Sequence, residues 1–415
     1  MKKILWILVF GIFLAWQTQG LAETTVDSLI KKLVEKGILS TEEATQIKGE
    51  IAKDEKKSQE EAYKKQTPEW QQNTKLTGDF RVRNQFEHRR TESASETTRD
   101  RARMRARLGI ETKINDQFKM AVGIATDGGS ARSSNYTFDS NFGKGNVVLN
   151  YAYGQYAPND KWTFTAGQMK NPIWEPMEFL WDSDITPQGG SVQYNYKLND
   201  SLNFTGLGAA FVVKELAVSN ADPFIWLAQA GFKGKASDKF DYKLMGLYQG
   251  LQNTTKIQLQ SSANNTTSSS NYVYRYNVPG ASVEFGINNP MGEKSFIQIP
   301  RLALFGEYVM NPNPKDESTA WMTGFYLGNP TVSNKGSWKA TWAYKSLGRD
   351  AWVDVLPDSD FYSGNTDVKG MEAIMEYGLA KNVIFAIDYY HTQRKSSLAA
   401  KQEETLLQTD INFKF

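Results

Sequence analysis

The sequence predicts an all-β chain, a transmembrane antiparallel β-barrel of about 16 strands with a short helical segment before it. Three observations predict this class. From Lys75 onward apolar and polar residues alternate with period two, and the polar sets are long and charged over most of the length. The links between the predicted strands alternate short and long. Beyond residue 22 no apolar run approaches the roughly 20 residues a helical span needs, and mean hydropathy is −0.52.

The chain opens with Lys2 and Lys3, then the apolar run Ile4 to Trp16, then Gly20 and Ala22 three positions apart. That pattern reads as a secretory signal, 1–22, cleaved after Ala22. There is no cysteine, which excludes a lipid anchor on a cleavage-site cysteine, disulfides and thiolate metal or redox sites. Without the signal, 46 basic residues face 46 acidic ones, so a globally basic nucleic-acid binder is excluded. The 22 Phe, 19 Tyr and 11 Trp beside 32 Gly suit a barrel, with aromatic girdles outside and small residues where strands curve.

Residues 23–69 differ in kind. Leu29, Ile30, Leu33 and Val34 share a helical face that Gly37 can terminate, and Ser40 with Glu43 forms a capping box for a second helix. Beyond Ala52 a mixed-charge run reads as a solvated tail. The segment is expected to be a small helical hairpin, with trimerisation or a peptidoglycan contact as alternatives, since no heptad persists.

Residues 70–415 form the predicted barrel. Strands are expected near 75–86, 99–112, 117–126, 146–157, 160–170, 190–198, 201–213, 223–234, 239–250, 272–288, 295–310, 318–328, 337–347, 367–378, 382–393 and 404–415. Short turns such as Asn115-Asp116 and Asn199-Asp200 alternate with long links at 87–98, 127–145, 171–189, 251–271 and 348–366. Outer-membrane barrels have short periplasmic turns and long external loops.

Leu407, Thr409, Ile411, Phe413 and Phe415 alternate to the final residue, and this end looks like the terminal strand of bacterial outer-membrane proteins. The likeness makes Phe413 and Phe415 the signal read by the barrel-assembly machinery. The whole sequence resembles Gram-negative outer-membrane porins, and VDSLIKKLVEKGILSTEEATQIKGEI looks like the periplasmic start of one porin family. The resemblance implies a water-filled channel for small hydrophilic solutes or ions, embedded in outer-membrane lipid and lipopolysaccharide, and a homotrimer. It also implies a constriction loop between strands five and six, here 171–189. In that loop Trp174, Phe179 and Trp181 would anchor on the inner wall, and Glu175, Glu178, Asp182 and Asp184 would supply negative charge. A lid over the rim or a subunit contact is the alternative for this segment.

The polar parity of the first two strands carries Arg81, Arg83, Arg101, Arg103, Arg105 and Arg107. At mid-membrane such charges cannot face lipid, at a cost of roughly 2–4 kcal/mol each. They are expected to line the lumen, opposed by the acidic loop, with a weak lean to anions; the alternative is that they only partner inner-wall carboxylates such as Glu111. No cofactor is expected. Asp358 and Asp360 offer oxygen ligands of the kind Ca²⁺ takes, but without EF-hand spacing, so a solvated external loop is the reading there. Catalysis finds no support, with only His88 and His391 and no nucleophile–base spacing. Two rivals remain, a structural barrel tethering the envelope through residues 23–69 and a surface-exposed β-rich binding protein.

Overall fold

A computed structural model describes residues 25–66, 69–92, 96–139, 141–217, 221–253, 264–268, 271–292, 296, 298–396 and 401–415. The predicted signal segment lies outside them. The chain divides into two units, Met1–Gln72 and Asn73–Phe415.

The first unit contains helices α1 (Thr25–Glu35), α2 (Thr41–Gln66) and α3 (Glu69–Gln72). Gly37, at φ +70°, ends the first of these in the left-handed region open to glycine. The capping box at the start of α2 is complete: Ser40 N donates to Glu43 Oε2 (2.8 Å) and Glu43 N to Ser40 Oγ (3.1 Å). Ile30 and Ala44 are the buried pair between the helices. Helix α2 continues through the mixed-charge run expected to be a tail. That stretch contains no glycine or proline and is rich in Lys, Glu and Gln, all good helix formers.

The second unit is a closed antiparallel barrel of sixteen strands. They are β1 (Thr74–Thr91), β2 (Thr97–Lys113), β3 (Phe118–Thr126), β4 (Val147–Asn159), β5 (Trp162–Gln168), β6 (Gln188–Asn199), β7 (Leu202–Val212), β8 (Phe224–Lys235), β9 (Phe240–Gln252), β10 (Tyr276–Asn288), β11 (Arg301–Met310), β12 (Thr319–Gly328), β13 (Trp338–Leu347), β14 (Val368–Ala380), β15 (Val383–Arg394) and β16 (Gln402–Lys414). Each pairs with its neighbours, and β1 pairs with both β2 and β16, so no edge is left. The seam continues to the last residue: Gly78 and Phe415 exchange backbone hydrogen bonds of 3.0 Å each. Gly78 also lets the Phe415 ring lie on the backbone, because a Cβ there would sit 2.5 Å from Phe415 Cζ.

The β1–β2 hairpin runs further than the sequence suggested, closing the 87–98 link to residues 92–96. Polar cross-strand pairs carry it there, including Arg101 with Glu87 and His88 Nδ1 with Thr98 Oγ1 at 3.2 Å. Along the strands, Leu76, Phe80, Val82, Leu108, Ile110, Met120, Val122 and Ile124 are exposed on the outer face. Near the short turns Phe118, Tyr156, Phe164, Trp162, Tyr194, Phe204 and Phe232 make a continuous ring-on-ring belt, with neighbouring centroids 4.5–6.2 Å apart. An apolar band bordered by aromatics is the lipid-facing surface of a transmembrane barrel.

Candidate functional site

The lumen is asymmetric. On β7 to β13 the inward parity is largely apolar, with Leu207, Phe211, Ile225, Leu227, Phe305 and Met322 all buried. Two loops fill the space in front of them. Residues 169–187, between β5 and β6, contribute Phe179, Leu180 and Trp181, and residues 348–367, between β13 and β14, contribute Trp352, Phe361 and Tyr362. Burying each such side chain stabilises the packing by roughly 1.5–3 kcal/mol, so the loops are held as firmly as a domain core. The first loop is also bonded to the wall. Trp181 Nε1 donates to Gln249 Oε1 (3.1 Å), the Trp174 backbone exchanges two bonds with Gln229, and Lys243 Nζ sits 4.0 Å above the Trp174 ring.

Segment 348–367 therefore corrects the reading of a solvated external loop. Its Asp358 is 3% exposed and Asp360 faces the lumen. The cation beside Asp358 is Lys345 of β13, itself 0% exposed, whose Nζ lies 3.0 Å from Asp358, 2.5 Å from Glu372 and 2.7 Å from the Glu178 carbonyl. The two loops are joined directly as well: Asp182 N donates to Leu356 O (2.7 Å), Ser359 N to Asp182 Oδ2 (2.8 Å) and Asp358 N to Phe179 O (3.2 Å). A third inward segment, 127–146, completes the knot. Arg132 Nη1 donates to the carbonyls of Pro357 (3.1 Å) and Gly364 (2.8 Å), and Ser134 N to Asp184 Oδ2 (3.0 Å).

Facing this knot, β1 and β2 present the six arginines, with β14 to β16 completing the wall. Arg83 makes a two-pronged contact with Asp410 (2.8 Å each) and reaches Asp360 at 3.2 Å. Arg105 and Arg107 share Asp79, at 2.9 and 2.6 Å, and approach Asp184 at 3.8 and 3.2 Å. Arg101 pairs with Glu87, and Arg81 bonds Asn135 and lies 3.6 Å from Asp410. Among the described residues Arg103 contacts only neutral groups. Glu111, weighed as a structural partner, pairs with Lys119 at 4.0 Å instead.

Of the four loop acids only Asp184 touches the arginines. Asp182 and Glu178 turn into the knot, where Glu178 Oε1 accepts from Ser183 N (2.8 Å). Burial pushes the Asp182 carboxyl up to about 8, with Asp358 beside it adding to the rise. Burial likewise raises Glu175 to about 8 and Glu178 well above the usual carboxylate range, the latter with Asp358 and Asp182 contributing. Glu178, Asp182 and Asp358 bring carboxylate oxygens within 4.8 Å of one another, close enough to share a cation, and Lys345 supplies a positive charge at that point.

Three cavities lie in series between loops and arginine wall. At the long-loop end is a vestibule of 390 Å³ lined by Arg89, Arg99, Arg101 and Arg103 with Glu87, Asp360 and Glu404. At the short-turn end is one of 660 Å³, lined by Asp79, Arg107, Tyr151, Lys170, Trp181 and Phe415 among others. Between them is a chamber of 220 Å³ bounded by Arg81, Arg83, Arg105 and Arg132 and by Glu178, Asp182, Asp184, Asp360, Glu372 and Asp388, among others. It shares Ser359 and Asp360 with the first and Met177, Glu178, Ser183 and Asp184 with the second. Sequence reasoning missed Lys345, Arg132 and the second inward loop. The signal was present in the apolar residues Ala351, Trp352, Val353, Leu356 and Phe361, too many for a segment facing water.

A closed sixteen-stranded barrel with a lipid-facing exterior, a charged interior and a central narrowing defines the class of porin-type channels. This chain belongs to the porin family described as "Putative porin", which it matches over residues 88–295 and 298–415. Similar solved structures include a triple mutant of a Rhodopseudomonas blastica porin, at 10% identity and TM-score 0.41, covering 82% of this chain and 100% of that one. Another is the outer membrane channel DcaP of Acinetobacter baumannii, at 15% identity and TM-score 0.46, covering 82% of this chain and 97% of that one. No curated protein matches in sequence.

Proposed function

We propose that this porin passes small hydrophilic solutes by passive diffusion across the bacterial outer membrane, through the arginine-lined half of its lumen, with a weak preference for anions. The observation that carries the reading is the series of three cavities sharing lining residues, whose 220 Å³ chamber has three arginines on one side. A narrow aqueous chamber between low-dielectric walls focuses the field of its charges, so the sign of that wall sets the permeant ion. Of the acids in residues 169–187 only Asp184 meets these arginines, and Asp182 holds its proton up to about 8, which supports the weak lean to anions. In this reading the long loops face outward to lipopolysaccharide, Phe415 serves delivery to the assembly machinery, and the assembled form is a homotrimer. The test is the reversal potential of purified protein in planar bilayers across a KCl gradient. A potential of the sign set by chloride is expected; absence of conductance, or a potential set by potassium, overturns the proposal.

A further inference from the structure

The four arginines of the long-loop vestibule are not equivalent. Arg89 pairs with Glu404 at 2.7 Å and Arg101 with Glu87. The third acid, Asp360, is held by Arg83 at 3.2 Å. Every carboxylate lining the vestibule thus has its cation. Among the described residues Arg99 and Arg103 have no carboxylate partner. Arg99 is exposed, open to solvent. Arg103 is 8% exposed and lies directly opposite Arg83 in the β1–β2 ladder, with Arg101 two positions along its own strand.

Its contacts are Gln85 Oε1 at 3.0 Å, the Asn135 carbonyl at 3.1 Å and Ser133 Oγ at 3.4 Å, and among the described residues its Nε meets no acceptor. Among the described residues no carboxylate touches this buried guanidinium, and the acids nearest it, Asp360 and Glu87, are each taken by another arginine, so its charge is under-compensated. It is relieved most directly by an anion from the cavity it lines. A guanidinium fork matches oxyanions in particular, because two N–H groups reach two oxygens at once.

We propose that Arg103 and Ser133 form an oxyanion-binding subsite in the long-loop vestibule, taking a solute that bears a phosphate or carboxylate group before it enters the constriction. The proposal rests on the channel reading and adds a saturable step to it. An occupied site at the mouth of a narrow chamber slows the passage of other anions, so the oxyanion blocks chloride current.

The experiment uses the full chain in planar bilayers in KCl, with inorganic phosphate added to both sides. Chloride current should fall saturably with phosphate. Arg103→Gln should raise the half-blocking concentration about tenfold or more, as expected for losing a charge-assisted hydrogen bond. Arg103→Lys, which keeps charge but not the fork, should lie between. Lys381→Gln, in the β14–β15 turn far from the vestibule in sequence and outside its lining, should leave the block unchanged. Acetate run in parallel separates the two groups, the lower half-blocking concentration identifying the preferred one. A chloride-preferring channel with no saturable block by either, or with the same half-block in both Arg103 variants, overturns this inference alone. A channel that conducts nothing or prefers potassium overturns the channel reading instead. If Arg103→Gln fails to give the heat-modifiable mobility of a folded barrel, Arg103→Lys decides, and an unchanged half-block in it overturns the subsite.

Discussion

Replacing Lys345 by methionine should open the constriction. The ammonium is 0% exposed and is shared by Asp358 and Glu372, each 3% exposed, and by the Glu178 carbonyl. Methionine fills nearly the same volume but leaves two carboxylates buried with no cation between them. Removing one partner of a buried ion pair costs about 3–5 kcal/mol. At about 1.4 kcal/mol per decade, that shifts the balance between docked and released loops by two to three and a half powers of ten. Segment 348–367 would be the first to leave, and residues 169–187 would lose the bonds from Asp358 and Ser359 that hold them from that side. Single-channel conductance of Lys345→Met should therefore exceed that of the parent at pH 8, with entry of larger uncharged solutes into proteoliposomes. Lowering the pH to 5 should reverse part of the change, because a carboxylate left buried without its cation is relieved by taking up a proton, which favours the docked loop. A variant with normal heat-modifiable mobility and unchanged conductance and size limit at both pH values would refute the idea that Lys345 holds the constriction.

Asp184→Asn removes the loop carboxylate nearest Arg105 and Arg107. A pair about 4 Å apart in water is worth about 1 kcal/mol, so the chloride-to-potassium permeability ratio should rise about fivefold, read from reversal potentials. The docked loop should also weaken with rising pH. In place, Glu175 and Asp182 hold their protons up to about 8, whereas in a released loop such groups ionise near about 4. Their folded values are raised, so docking is most stable below about pH 4, loses stability as pH rises, and has lost this contribution above pH 8. Open-channel current noise should accordingly grow between pH 5 and pH 9.

The strands were legible because their signal is local. Period-two alternation and short turns such as Asn199-Asp200 bracket each strand, and the sixteen observed strands lie close to those expected. Helix α2 was half legible, since its capping box marks a start whereas a polar helix carries no apolar stripe to mark its length. The site was less open to sequence reasoning. Arg81 to Arg107 could be placed on the inner wall by parity, but parity does not name partners, and Asp410 and Asp360 are hundreds of residues away from Arg83 in the chain. Loops have no period at all. Asp358 reads as a solvated acid until the fold sets it against Lys345, and Lys345 itself sits in a strand whose inward neighbours Ala343 and Leu347 are apolar. An isolated lysine on such a parity is a marker of a buried partner that only the tertiary structure supplies.

In the proposed channel, water runs through one half of the lumen, between the arginines and the inward loops, and the other half is sealed. The chain contains no cysteine, so single thiols can map this directly. Ser183→Cys places a thiol where the 220 Å³ chamber meets the 660 Å³ cavity, and Ala303→Cys places one on the apolar wall, at a position 0% exposed. A charged methanethiosulfonate reagent applied during conductance recording should react with the first and reduce the current, and leave the second unmodified. Rapid modification of Ala303→Cys, or none at Ser183→Cys, would contradict this water path.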